Sequence, residues 1–144
     1  MNLIIGLGNP GKTYGHNRHN VGFRCINHLA KLYGIPVKQR QCQAQTGIGS
    51  IAGSQVLLAK PKTFMNFSGK SVKSLLRRYK AALKDLVVIH DELDLPLGKI
   101  RLHYNRGSGG HKGVESIIDE LGSQDFLRIR IGIARPPEED DPAS

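Results

Sequence analysis

Short apolar runs and two different periods divide the chain from its first residues. Leu3-Ile4-Ile5-Gly6-Leu7 is a continuous apolar stretch running into a glycine loop, the pattern of a strand covered on both faces. From Val21 the period lengthens. Val21, Cys25, Ile26, Leu29, Leu32 and Tyr33 recur at helical spacing, with Asn20 as the expected cap and Gly34 and Pro36 as the stop. Gln45 to Ile51 and Gln55 to Lys60 read as two strands joined by a turn at Gly53-Ser54. A second helical stripe holds Val72, Leu75, Leu76, Tyr79 and Leu83, with Lys70, Lys73, Arg77 and Lys80 mostly off it. Leu86 to Ile89 has the unbroken apolar character of a central strand, and Ile100 and Leu102 alternate with Lys99, Arg101 and His103. Val114, Ile117, Ile118 and Leu121 mark a third helix ending at Gly122. Leu127, Ile129, Ile131 and Ile133 alternate with Arg128 and Arg130.

Strands interleaved with helices predict an α/β fold: a single domain over residues 1–135, with a twisted, mostly parallel (mixed) sheet and helices on both faces. Its 144 residues suit one core. The segment Pro136-Pro137-Glu138-Glu139-Asp140-Asp141-Pro142 is polar and proline-interrupted, so 136–144 is expected to be a disordered tail.

Charge changes the picture more than composition does. The net charge is +9. Residues 1–84 hold fourteen Lys and Arg and no acid, whereas the remainder holds seven basic residues against twelve acidic ones. A basic half without acids points to a polyanionic partner, and no basic run exceeds two residues, so the charge belongs to a folded surface. No apolar run approaches membrane-spanning length, no signal-peptide pattern follows Met1, and Cys25 and Cys42 lack zinc-type spacing. A cytoplasmic protein that touches no membrane is the expectation.

Gly6-Leu7-Gly8-Asn9-Pro10-Gly11 satisfies the glycine fingerprint of dinucleotide-binding folds. That fingerprint requires a helix opening at the loop and an acid about twenty residues on. Lys12 to Asn20 carry no helical stripe, and the first acid is Asp85, so a nicotinamide site is disfavoured.

Polar residues gather where apolar strands end: Asn9, Tyr14, His16 and His19 after the first strand, Met65 and Asn66 after the third, His90, Asp91, Glu92 and Asp94 after the central one. A glycine loop adds His111. An Asp at a strand end and a loop His are the material of a general-base pair, and Asn side chains can hold an oxyanion. Each has a plainer reading. Asn9 and Asn66 suit turns, His19 could bridge loops, Cys25 lies on a helix stripe, and Ser108 lacks a nucleophile elbow. The histidines form no recognised metal motif, so no metal and no cofactor are expected.

Taken together, Gly6 to Gly11, Tyr14, Asn17-Arg18-His19-Asn20, Thr63 to Gly69, His90 to Pro96, Gly109-Gly110-His111-Lys112-Gly113 and Arg128 to Ile133 resemble the motifs of bacterial peptidyl-tRNA hydrolases. The blocks keep the family's order and spacing from Met1 to Ala134. The resemblance implies hydrolysis of the ester between a peptide and tRNA by base-activated water, in a monomer that requires no protein partner. It implies His19 as the base, Asp91 as the carboxylate that orients it, and Asn9 as the residue that selects an N-blocked peptidyl group. Tyr14, Phe64, Met65 and Asn66 would line the pocket, His111 would contact substrate, and Arg101, His103 and Arg130 would clamp the 5′-phosphate of tRNA. On that reading His103 contributes charge below about pH 6.5. The alternative is a relative on the same fold that binds structured RNA without chemistry. In one departure, Lys112 replaces the family's usual Asn, and an ammonium donates hydrogen bonds without accepting any. In another, the family's lid-like loop and C-terminal helix have no counterpart, so a shortened form with bare apolar surface is expected.

Overall fold

A computed structural model of the chain describes residues 1–9 and 20–133. Ten elements follow one another: β1 (Asn2–Gly6), α1 (Val21–Tyr33), β2 (Gln39–Gln41), β3 (Ala44–Ile51), β4 (Ser54–Pro61), α2 (Ser68–Arg78), β5 (Leu86–Glu92), β6 (Ile100–Tyr104), α3 (Lys112–Leu121) and β7 (Leu127–Gly132). The strands form one sheet in the order β2-β3-β4-β1-β5-β7-β6. Its centre, β4-β1-β5-β7, is parallel, and antiparallel partners flank it on both sides.

Alternation along the central strands sorts the core into two layers. Leu3 and Ile5 of β1, Leu57 and Ala59 of β4 and Leu86 and Val88 of β5 pack with Val72, Leu75, Val114 and Ile117 of α2 and α3. Ile4, Leu58 and Ile89 face the other way, against Ile26 and Leu29 of α1. The two stripes therefore bury opposite faces of one sheet, as the α/β pattern predicts.

Four local expectations need correction. The hairpin between β3 and β4 turns at Ala52-Gly53, with φ of 51° and 81°, and Ile51 pairs with Ser54. Two consecutive left-handed residues make the tight turn whose twist matches the strands. The second helix stops at Arg78, because Lys80 takes a φ of 51°, although Tyr79 and Leu83 still pack on the core. The strand β2 was invisible as a pattern, since Gln39, Arg40 and Gln41 contain no apolar residue. Asn20 makes no side-chain cap bond to α1; its Oδ1 accepts the Asn9 N–H at 2.9 Å.

Gly6 of the misleading fingerprint serves packing, together with Gly22 of α1. A Cβ on Gly6 would stand 2.2 Å from the Gly22 carbonyl oxygen, and one on Gly22 would stand 2.3 Å from that of Leu7. The start of α1 thus lies directly on the end of β1. Residues 136–144, expected as a tail, lie outside the described residues.

Candidate active site

The carboxyl ends of β1, β4 and β5 open on one edge of the sheet, the location in which such folds hold ligands. A cleft of about 660 Å³ occupies it. Asn9 enters from the end of β1, Phe64, Met65 and Asn66 from the turn between β4 and α2, and Asp91 from β5. His111 and Lys112 close the far wall at the start of α3. Seven residues singled out from the sequence therefore meet in one place. Phe64 is 70% exposed, an aromatic face presented at the mouth. His19 and Tyr14 lie outside the described residues.

Asp91 is 4% exposed, and its Oδ1 accepts a hydrogen bond from His111 Nε2 at 2.8 Å. The opposite nitrogen of His111 is also occupied. Nδ1 accepts the backbone N–H groups of Gly113 and Val114 at 3.1 and 3.2 Å, capping α3. Two N–H donors at Nδ1 require the proton to sit on Nε2, so the tautomer follows from the partners. Neither ring nitrogen of His111 is then free to hydrogen-bond a substrate. A Cβ on Gly113 would lie 2.6 Å from Met65 Sδ, so a larger residue there would displace that side chain.

Lys112 is the one cation among the described residues that line the cleft, which also include Asp91, Glu92 and Asp94. The expected phosphate clamp is separate. His103 and Arg130 line a second pocket of about 90 Å³, with Arg106 and Arg128. Arg101 pairs across the strands with Arg130 without lining that pocket. Arg130 is already engaged, its guanidinium meeting Glu92 Oε2 at 3.0 Å and hydrogen-bonding His103. Desolvation and the guanidiniums of Arg106, Arg130, Arg128 and Arg101 lower the His103 pKa from its ordinary value. Its charge is therefore available only at lower pH than the unperturbed side chain suggests.

Three residues have roles there that were not legible in the sequence. Arg128, in a position that alternation makes polar, is 2% exposed, binds the carbonyl oxygens of Gly107 and Gln124 at 3.0 and 2.8 Å, and stacks on Phe126. Glu92 partners Arg130, and Arg106 enters from a loop. Only the shared face of Arg128, Arg130 and His103 was readable as a signal. Among the described residues no group of three or more His, Cys, Asp or Glu could hold a metal ion, and no helix is long and apolar enough to cross a membrane.

Fold and cleft define an α/β domain with a carboxylate–histidine pair buried at the edge of its parallel strands. The profile of the peptidyl-tRNA hydrolase family matches residues 3–144, and the chain belongs to that family. It is 52% identical over 136 residues to peptidyl-tRNA hydrolase of Dehalococcoides mccartyi, covering 94% of this chain and 72% of that protein. The same identity holds over 136 residues with peptidyl-tRNA hydrolase of Brevibacillus brevis. The crystal structure of peptidyl-tRNA hydrolase from Acinetobacter baumannii superposes with a TM-score of 0.90 at 41% identity, covering 97% of this chain and 71% of that one.

Proposed function

We propose that this chain hydrolyses the ester joining a peptide to the ribose of tRNA, with His19 as general base and Asp91 as its orienting carboxylate. A water oxygen attacks the ester carbonyl carbon while His19 takes its proton. The tetrahedral intermediate then expels the ribose oxygen, which recovers that proton, releasing a peptide acid and free tRNA. Asn9 recognises the N-blocked end of the substrate through its amide, and Asn66 donates to the developing oxyanion. Phe64 and Met65 supply apolar walls for the terminal nucleotide and the peptide, as Tyr14 does from the segment before His19. The protein works as a monomer in the cytoplasm.

The observation that carries this reading is the state of His111. It is the one histidine among the described residues lining the cleft, and both its ring nitrogens are committed. The geometry supports a fixed Asp91 serving a base brought in from elsewhere, and His19 is the residue the family motif supplies for it. The test is release of N-acetyl-aminoacyl groups from tRNA by the 144-residue protein, with unblocked aminoacyl-tRNA in parallel. Rapid cleavage of the blocked ester alone is expected. A protein that binds tRNA and cleaves neither ester would sink the proposal.

A further inference from the structure

His90 is a buried histidine with no part in the mechanism above. It is 2% exposed, at the end of a central strand where an apolar side chain would ordinarily sit. Its Nδ1 lies 2.8 Å from the backbone oxygen of Asp91. A carbonyl oxygen only accepts, so Nδ1 carries the proton and donates. Its ring packs edge-on against His111, with centroids 4.7 Å apart and planes at 63°. The two rings therefore hold opposite tautomers around one residue. His90 Nδ1–H secures the Asp91 main chain, and His111 Nε2–H secures its carboxylate.

We propose that His90 is a positioning residue for hydrolysis: with His111 it brackets Asp91 from backbone and side chain, fixing the carboxylate that serves the base. The inference rests on the reading of Asp91 given above. A ring kept neutral suits this role, because a charged His90 would compete with His111 for Asp91. Burial, then the nearby His111, push the His90 pKa down to about 3, against weaker upward pulls from Asp91, and Arg128 lowers it further. The other charged groups near it line the small basic pocket: Glu92, Asp94, His103, Arg106 and Arg130.

Two substitutions separate positioning from filling space. His90→Phe keeps a ring against His111 and loses the N–H to Asp91. His90→Asn places an amide N–H near the Nδ1 position and loses the ring. If His90 only fills the core, Phe is the better replacement. If it positions Asp91, His90→Phe lowers kcat about tenfold or more with KM within about twofold, and His90→Asn stays within about threefold of the parent. A folded His90→Phe protein turning over at the parental rate, or one matching or exceeding His90→Asn, would overturn the proposal. The second measurement needs no turnover: nitrogen–proton correlation spectra of the labelled parent at pH 6–7. They should show a neutral His90 ring protonated at Nδ1, a signal lost in either variant. An Nε2–H tautomer for His90 would end the bracket even if both variants failed to fold. A parent that cleaves no ester would refute the proposed function, and these spectra would still decide the bracket.

Discussion

Asp91 and Arg101 stand on strands separated in the sheet only by β7, yet the protein treats them in opposite ways. Around Asp91, His90 is buried and His111 nearly so, and the hydrogen bonds of both rings fix their tautomers. Around Arg101 the strand is exposed at the sheet's edge, and among the described residues its guanidinium hydrogen-bonds only the adjacent Ile100 carbonyl, at 3.2 Å. Chemistry on an ester needs atoms held to fractions of an ångström, because the transition state is geometrically exacting. Capture of a phosphate needs positive potential over a broad area, which mobile side chains supply. The boundary between the regimes is Glu92, one residue past Asp91, whose carboxylate faces the guanidinium of Arg130.

Substitutions at the proposed base and its carboxylate should remove chemistry while leaving capture. His19→Ala should lower turnover of N-acetyl-aminoacyl-tRNA about a thousandfold, and Asp91→Asn about a hundredfold or more. tRNA affinity should change less than about threefold in either, since the proposed phosphate contacts lie on other residues. Single-turnover rates beside filter-binding affinities check this. A His19→Ala protein retaining a third of its turnover would remove that residue from the role.

A smaller effect probes the buried side of the comparison through stability. Folding moves the His90 pKa from an ordinary value near 6.5 down to about 3. Between those values the unfolded chain binds a proton that the folded chain refuses. The His90 contribution is thus fully present above about pH 6.5 and is lost as pH falls toward 3. Lowering the pH from 6.5 to 5 should cost about 1.6 kcal/mol from this group. Urea unfolding at the two pH values measures it, and His90→Asn should flatten the dependence by that amount. Equal slopes in parent and variant would show that the ring is solvated.

What could be read from the sequence divides along the same line. Both core layers were legible because burial imposes period: Leu3 and Ile5 on one face, Ile4 on the other, and three helical stripes to cover them. β2 was not, because an edge strand of Gln39, Arg40 and Gln41 is held by backbone pairing that no side-chain pattern records. The cleft residues were legible as polar groups at strand ends, and the family's motifs gathered them. An Asp–loop His pair was legible, but not that Asp91 takes His111, since their approach depends on α3 beginning at that loop. Arg128 shows the limit most clearly. Alternation makes it polar and outward, and only the fold reveals loop carbonyls arranged to receive a buried guanidinium.

Within the basic rim, Arg101 and Arg130 should differ, and the difference sharpens the comparison further. Both face the same side of the β6–β7 pair, directly opposite one another. Arg101 is exposed and contributes potential alone. Arg130 is held by Glu92, so its removal deletes a cation and leaves an unpaired carboxylate beside the proposed phosphate site. Arg130→Ala should therefore weaken binding of 5′-phosphorylated tRNA about tenfold, and Arg101→Ala about threefold. Glu92→Gln combined with Arg130→Ala should recover part of the larger loss, because the exposed anion is gone. Each arginine variant should flatten the slope of log affinity against log salt by about one. His103, its pKa already lowered by desolvation and neighbouring guanidiniums, should add little to binding at pH 7.5 and more toward pH 5.5. Affinities for tRNA with and without the 5′-phosphate, taken across salt and at both pH values, test the whole set. Equal losses on both tRNAs for both variants would mean a diffuse basic surface. Equal losses between the variants, confined to phosphorylated tRNA, would mean that Glu92 does not set their difference.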